Sequence, residues 1–178
     1  MLSALDIAKY LLSLIDEEKG DTISNLKLQK ILYYLQGYYL ALFGKPLFND
    51  TIEAWKHGPV VNCVYQEFKQ YKSNSIPTDN LKFNISDLTA TDRKFIKEIF
   101  NIYCDFRAKK LEDMTHNEDP WKNVYEENKN KEITKDSLKA FFEKNVENVF
   151  LNSVSKVLKD TNLNNIADWE EYKFNDNN

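Results

Sequence analysis

"TISNLKLQKILYYLQGYYLALFG", Thr22 to Gly44, is the stretch that decides the fold. Leu28, Ile31, Leu32, Leu35, Tyr38, Tyr39 and Leu42 recur at three- and four-residue spacing, the repeat of an α-helix and not of a strand. Ser24 or Asn25 can cap the start, because a short side-chain oxygen accepts from a free N–H of the first turn. Gly37 inside the run costs about 1 kcal/mol against alanine. Either it admits a close neighbour or it is simply tolerated.

Upstream, Ser3 can cap a helix whose apolar face is Ile7, Ala8, Leu11, Leu12, Leu14 and Ile15, with Gly20 as a left-handed stop. Downstream, "KPLFNDTIEAW" alternates weakly around Pro46 and an Asn-Asp turn. It predicts a small β-hairpin or ribbon with Ile52, Ala54 and Leu47 turned inward. In "AWKHGPVV" (Ala54–Val61), proline has no N–H and a fixed φ, which suits the first turn of a helix. Gly58 then reads as an N-cap, and Val61, Val64, Tyr65, Phe68 and Tyr71 as one helical face.

After a polar loop, Thr89 or Thr91 starts a helix with Phe95, Ile96, Ile99, Phe100, Tyr103 and Phe106 inward. Leu111 and Met114 either prolong it or begin another after a kink near Phe106. Pro120 disfavours helical geometry at Asp119 and should stop that run. Thr134 can cap a helix carrying Leu138, Phe141 and Phe142, and the apolar pattern resumes from Val146 towards an Asn-rich acidic tail. The expected fold is mainly α, a compact bundle of five to seven helices with a small hairpin or ribbon near residues 45–56.

The 178-residue length suits one domain, and a chain of this size buries roughly 70% of its unfolded surface without needing staples. No stretch approaches the ~20 apolar residues of a membrane span, and the N-terminus lacks a basic leader. A cytoplasmic protein with Cys63 and Cys104 as free thiols is the expectation. The net charge of -4 is spread without a basic face: residues 61–131 carry twelve bases and twelve acids. That argues against nucleic acid as the main partner.

His57, His116, Cys63 and Cys104 are of metal-ligand type, but no pair has a chelating spacing, so neither metal nor cofactor is expected. Nor is there a nucleophile elbow or a Gly-rich phosphate loop. The histidine corners still leave a hydrolase of unknown substrate as an alternative. "SNLKLQKILYY" superficially resembles a helix-turn-helix reader with Lys27, Gln29 and Lys30 facing bases, which makes a DNA-binding transcriptional regulator the first alternative and the hydrolase the second. Trp55, Trp121 and Trp169 stand near element ends, where tryptophan serves as core or as interface anchor.

In order along the chain, the motifs resemble one family. "LKLQKILYYLQGYYLALFGKPLFNDTIEAWKHGPVVNCVYQEF" (Leu26–Phe68) and "LEDMTHNEDPW" (Leu111–Trp121) are similar to the Panacea domain, the SocA-like antitoxins often found in prophages. The most specific pieces are Lys27–Lys30, Lys45–Leu47, Glu53–Val60 and the Thr-His…Pro-Trp segment. The resemblance covers about residues 1–131. Residues 132–178 read as a C-terminal helical extension and tail packed on the same domain. It implies a helical domain with a small β element and a non-enzymatic role. The implied partner is a cognate toxin, encoded by an adjacent gene and neutralised by direct contact. A phage protein binding a host defence factor is a related possibility, and homo-oligomerisation is left open.

Physically, "AWKHGPV" and "THNEDPW" are two corners. We expect them to meet, with Trp55 packed on Trp121 and both histidines bonding loop backbone. The candidate partner-binding residues are Trp55, Lys56, His57, Gly58, Pro59, His116 and Trp121, with Lys27 and Lys30 as rim charges.

Overall fold

The computed structural model describes residues 2–15 and 22–145. Among these are seven helices and a small three-stranded antiparallel sheet. The helices are α1 (Ala4–Ser13), α2 (Asn25–Phe43), α3 (Asn62–Phe68), α4 (Ala90–Tyr103), α5 (Ala108–His116), α6 (Asp119–Lys122) and α7, which begins at residue 135. The strands are β1 (Ile52–Trp55), β2 (Gly58–Val61) and β3 (Lys131–Ile133), in the order β2-β1-β3. The mainly α fold with a small ribbon is therefore observed. The compact unit runs over Met1–Glu143. Gly20, Trp169 and the apolar pattern from Val146 lie outside the described residues.

Side-chain oxygens start four of these helices, α1, α2, α4 and α7, where the sequence places them. Ser3 accepts from the N–H of Asp6, Ser24 from Lys27 and Thr134 from Ser137. Thr89 and Asp92 form a reciprocal capping box. Gly44, at φ +66°, ends α2 in the left-handed conformation that glycine tolerates best.

The central element is α2. Fourteen of its nineteen residues are buried, and α1, α3, α4, α5 and β2 all pack on it. A helix enclosed on every side must bond its own polar side chains internally. Gln29 accepts from the N–H of Val61 at 2.8 Å and donates to Asn25. Gln36 accepts from the N–H groups of Leu47 and Phe48 and donates to the Phe48 carbonyl at 2.8 Å. The loop before β1 is thus pinned to α2, and Leu47 is buried without being in a strand. Gly37 has a reason as well: a Cβ there would stand 2.2 Å from the Phe142 ring of α7.

Three expectations need correction. The hairpin lies at 52–61, not 45–56, because Gly58–Val61 is a strand and α3 begins only at Asn62. Pro59 is accommodated because β2 is an edge of the sheet, where a missing N–H breaks no ladder bond. Phe106 is 37% exposed, since α4 ends at Tyr103 and the chain turns before α5. The run does end in this segment, at His116, but not through Pro120, which stands in the first turn of α6 after a helical Asp119, with Glu118 as the extended cap.

Candidate functional site

The two corners do meet. β1 and β2 pair with Trp55 opposite Gly58, leaving Lys56 and His57 as a two-residue turn. Gly58 closes it at φ +93°, a conformation unfavourable for any residue with a Cβ. Space makes the same demand. A Cβ at Gly58 would lie 2.8 Å from both the Nζ of Lys30 and the Oγ1 of Thr115. Behind this gap, the buried Lys30 ammonium donates to the Pro59 carbonyl at 3.0 Å. The hairpin is therefore seated on α2 and α5 by its own backbone.

The second corner closes over it. α5 ends at His116, and α6 presents Trp121, whose indole N–H donates to the Trp55 carbonyl at 2.9 Å. The His116 ring stacks on Trp121 at 4.0 Å, and Trp121 stacks on Tyr125 at 4.5 Å. The Trp55 ring instead meets Tyr65 of α3 edge-on, and its N–H donates to Glu53. The tryptophans are joined by a hydrogen bond and not by ring packing.

Neither histidine is bonded as expected. His57 Nδ1 lies 3.0 Å from the Glu112 carboxylate, which also faces Lys109. His116 has a buried Nε2 with no partner. Two steric reasons account for this: the Lys56–His57 turn points its imidazole across to α5, and stacking fixes the His116 ring plane.

Burial sets the electrostatics. It pushes the Lys30 ammonium down to about 7, against the attraction of Glu112. It lowers His116 too, with Glu112 opposing and Lys30 and Lys109 assisting. Glu112 is also raised by burial, yet the His57 hydrogen bond and nearby cations hold it below the ordinary carboxylate range. Glu118 is pushed up to about 7 by burial, despite favourable hydroxyls from Tyr33 and Tyr34. Tyr34 donates to it at 2.9 Å, and the Tyr34 ring stacks on Tyr103 of α4 at 4.0 Å.

Of the nine candidate residues, Lys56 and His57 are exposed, while Trp55, His116 and Lys27 are half-buried. Gly58, Pro59, Lys30 and Trp121 are buried. Lys30 is thus no rim charge: it has no exposed surface and supports the hairpin from beneath. Lys27 bonds the Cys104 carbonyl at the end of α4. With Gln29 at 2% exposure and Lys30 at 0%, α2 cannot lay these side chains into a DNA groove.

Glu112, Thr115 and Glu118 lie in the matched Leu111–Trp121 segment but were not among the candidate residues. Only the i, i+3 spacing of Glu112 and Thr115 beside a matched Thr-His could have flagged them. Among the described residues, no group of three or more ligand-type side chains could hold a metal ion. No helix there is long and apolar enough to cross a membrane.

Antitoxin SocA of Caulobacter vibrioides (strain NA1000 / CB15N) is 54% identical over 46 residues, which are 26% of this chain and 24% of that protein. No solved structure matches. Residues 28–122, which run from α2 through both corners to α6, match the family described as antitoxin SocA-like, Panacea domain. This chain belongs to the SocA-like Panacea family of antitoxins.

Proposed function

We propose that this protein is an antitoxin that neutralises a partner toxin by direct protein–protein contact, with the paired corners as part of the contact surface. One observation carries the reading. Lys56 and His57 are exposed at the tip of a hairpin whose base is immobilised by Lys30, Gly58 and Trp121. A preformed tip loses little freedom on binding, so its contacts translate into affinity. The half-buried Trp55 beside it supplies an aromatic anchor of the type that dominates interfaces. The role is non-catalytic, and the toxin is encoded by a neighbouring gene.

The test is co-expression with the neighbouring reading frame, scoring growth for wild type, Lys56→Glu and His57→Ala. Loss of protection by either variant, with an unchanged melting temperature, supports the reading. Full rescue by both makes the corner scaffold only. Failure of wild type to protect against any neighbouring product overturns the antitoxin role.

A further inference from the structure

Glu118 is placed where a carboxylate is poorly served. It caps α6, and its side chain reaches back between the tyrosines of α2. Oε1 accepts from the Tyr34 hydroxyl at 2.9 Å, but Oε2 is shut off from solvent without a partner. The Tyr33 hydroxyl, beside the same carboxyl, is also buried and lacks a well-formed bond. A buried carboxylate oxygen without a donor costs the ionised form most. The neutral acid removes that charge and can turn its proton on Oε2 towards the Tyr33 oxygen, while Tyr34 continues to donate to Oε1.

The consequence reaches the hairpin through α6. The Glu118 carbonyl accepts from the N–H of Lys122, closing the single turn that carries Trp121, and Trp121 holds the Trp55 carbonyl. We propose that Glu118 is a proton-operated latch on the corner: the neutral acid seats α6 against α2, and its ionisation withdraws the side chain and loosens the Trp121–Trp55 bond.

The groups facing Glu118 favour this behaviour. Tyr33, Tyr34 and Tyr38 approach from α2 and Tyr103 from α4, and all four are uncharged near neutral pH. His116 and Asp119 flank it in the chain. The ammonium of Lys30, one turn earlier on α2, is engaged by Pro59 and faces Glu112. Burial raises the Glu118 carboxyl to about 7, so the latch would operate at neutral pH. The inference rests on the proposed function only for its meaning, as pH control of toxin contact. Its test needs no toxin and fails independently.

Trp169→Phe serves as background, so that Trp55 and Trp121 report alone on the full chain. Acrylamide quenching of tryptophan emission is followed from pH 5 to 9. The expected result is a one-proton rise with a midpoint near 7, reaching at least twofold at pH 9. Glu118→Gln should hold the low value throughout. Tyr34→Phe deletes a hydrogen bond that favours the charged carboxylate, so its midpoint should move up. A merely structural role would not move it. No transition in the background chain overturns the latch, as does one that survives in Glu118→Gln, which would assign it to Lys30 or His116. If Glu118→Gln does not fold, an unchanged midpoint in Tyr34→Phe overturns it.

Discussion

The underside of the hairpin and its tip are neighbours in sequence, but they obey opposite rules. Gly58 and Pro59 are buried, and each is fixed by something only its own backbone supplies: a positive φ at one, an edge-strand carbonyl at the other. Lys56 and His57, immediately before them, are exposed. A single eight-residue stretch therefore holds both a foundation and the proposed contact surface. Variants of the two halves should separate: the underside changes stability, the tip changes binding.

The largest effect is expected at Gly58. Alanine there combines left-handed strain of about 1–2 kcal/mol with overpacking of about 1–3 kcal/mol against Lys30 and Thr115. A total of about 3 kcal/mol corresponds to a melting temperature lower by about 6–12 °C for a chain of this size. A thermal melt decides it. A shift under about 2 °C would show that the hairpin is not seated as described, and the contrast between tip and underside would collapse.

Gly37→Ala sharpens the comparison within α2. Propensity alone predicts about 1 kcal/mol of stabilisation in a helix interior. The Phe142 ring, 2.2 Å from the added Cβ, reverses the sign. A net loss of about 2 kcal/mol is expected, or about 4–8 °C. Stabilisation instead would mean that α7 does not rest on Gly37.

The underside also carries a pH signature. Lys30 has its pKa lowered from 10.5 to about 7, so between those values the unfolded chain binds a proton that the folded chain does not. Stability should rise with pH from about 7 towards 10, by at most about 1.4 kcal/mol per unit. Glu118 is raised from 4.5 to about 7, so over that window the folded chain holds the extra proton and stability falls as pH rises. Together they place a trough near pH 7. Above 10 the raised tyrosines reverse the climb, because the folded chain then holds their protons. Denaturant midpoints from pH 5 to 10 test this. Lys30→Met should flatten the upper limb, and Glu118→Gln the lower one.

These contrasts explain what the sequence disclosed. The helices α1, α2, α4 and α7 were legible because they carry their own punctuation, such as Ser24, Thr89 and Gly44, and a period of apolar residues. By contrast, α3, α5 and α6 have no side-chain cap to announce them. The hairpin was misplaced because proline after glycine suits both a helix start and an edge strand, and the choice is made by distant groups. Gln29 holds the Val61 N–H and Lys30 the Pro59 carbonyl, thirty residues away in sequence or nearly so. Lys30 looked like a surface charge because lysine almost always is one. The warning lay in its surroundings: from Leu28 to Leu40 the run holds only Gln29, Lys30 and Gln36 as strongly polar side chains, too few for a solvent face. The meeting of the two corners followed from matched segments sharing Trp, His and Pro. Their actual bonds did not, since an indole N–H can find a carbonyl as readily as a ring can find a ring.

The smallest effect on stability should come from the tip, and it tests the comparison most severely. The side chain of His57 is 67% exposed, whereas that of Glu112 is 9% exposed and keeps Lys109 at 3.5 Å when the ring is removed. With that second cation in reach, loss of the exposed partner should cost about 1 kcal/mol. Lys56, exposed beside it, should tolerate reversal of charge within about 0.5 kcal/mol. His57→Ala and Lys56→Glu are therefore expected to melt within about 4 °C of wild type at neutral pH. Low ionic strength is the informative condition for binding, because a rim charge acts mainly on association rate and salt screens it. Against the purified toxin, Lys56→Glu should slow association at low salt and converge towards wild type at high salt. His57→Ala should act on dissociation, since removing its ring changes a contact more than a field. If both variants melt normally and bind normally at every salt concentration, the tip is no contact surface. The exposed outer side of α5, where Lys109 and Asp113 pair at 3.0 Å, would then be the next surface to vary.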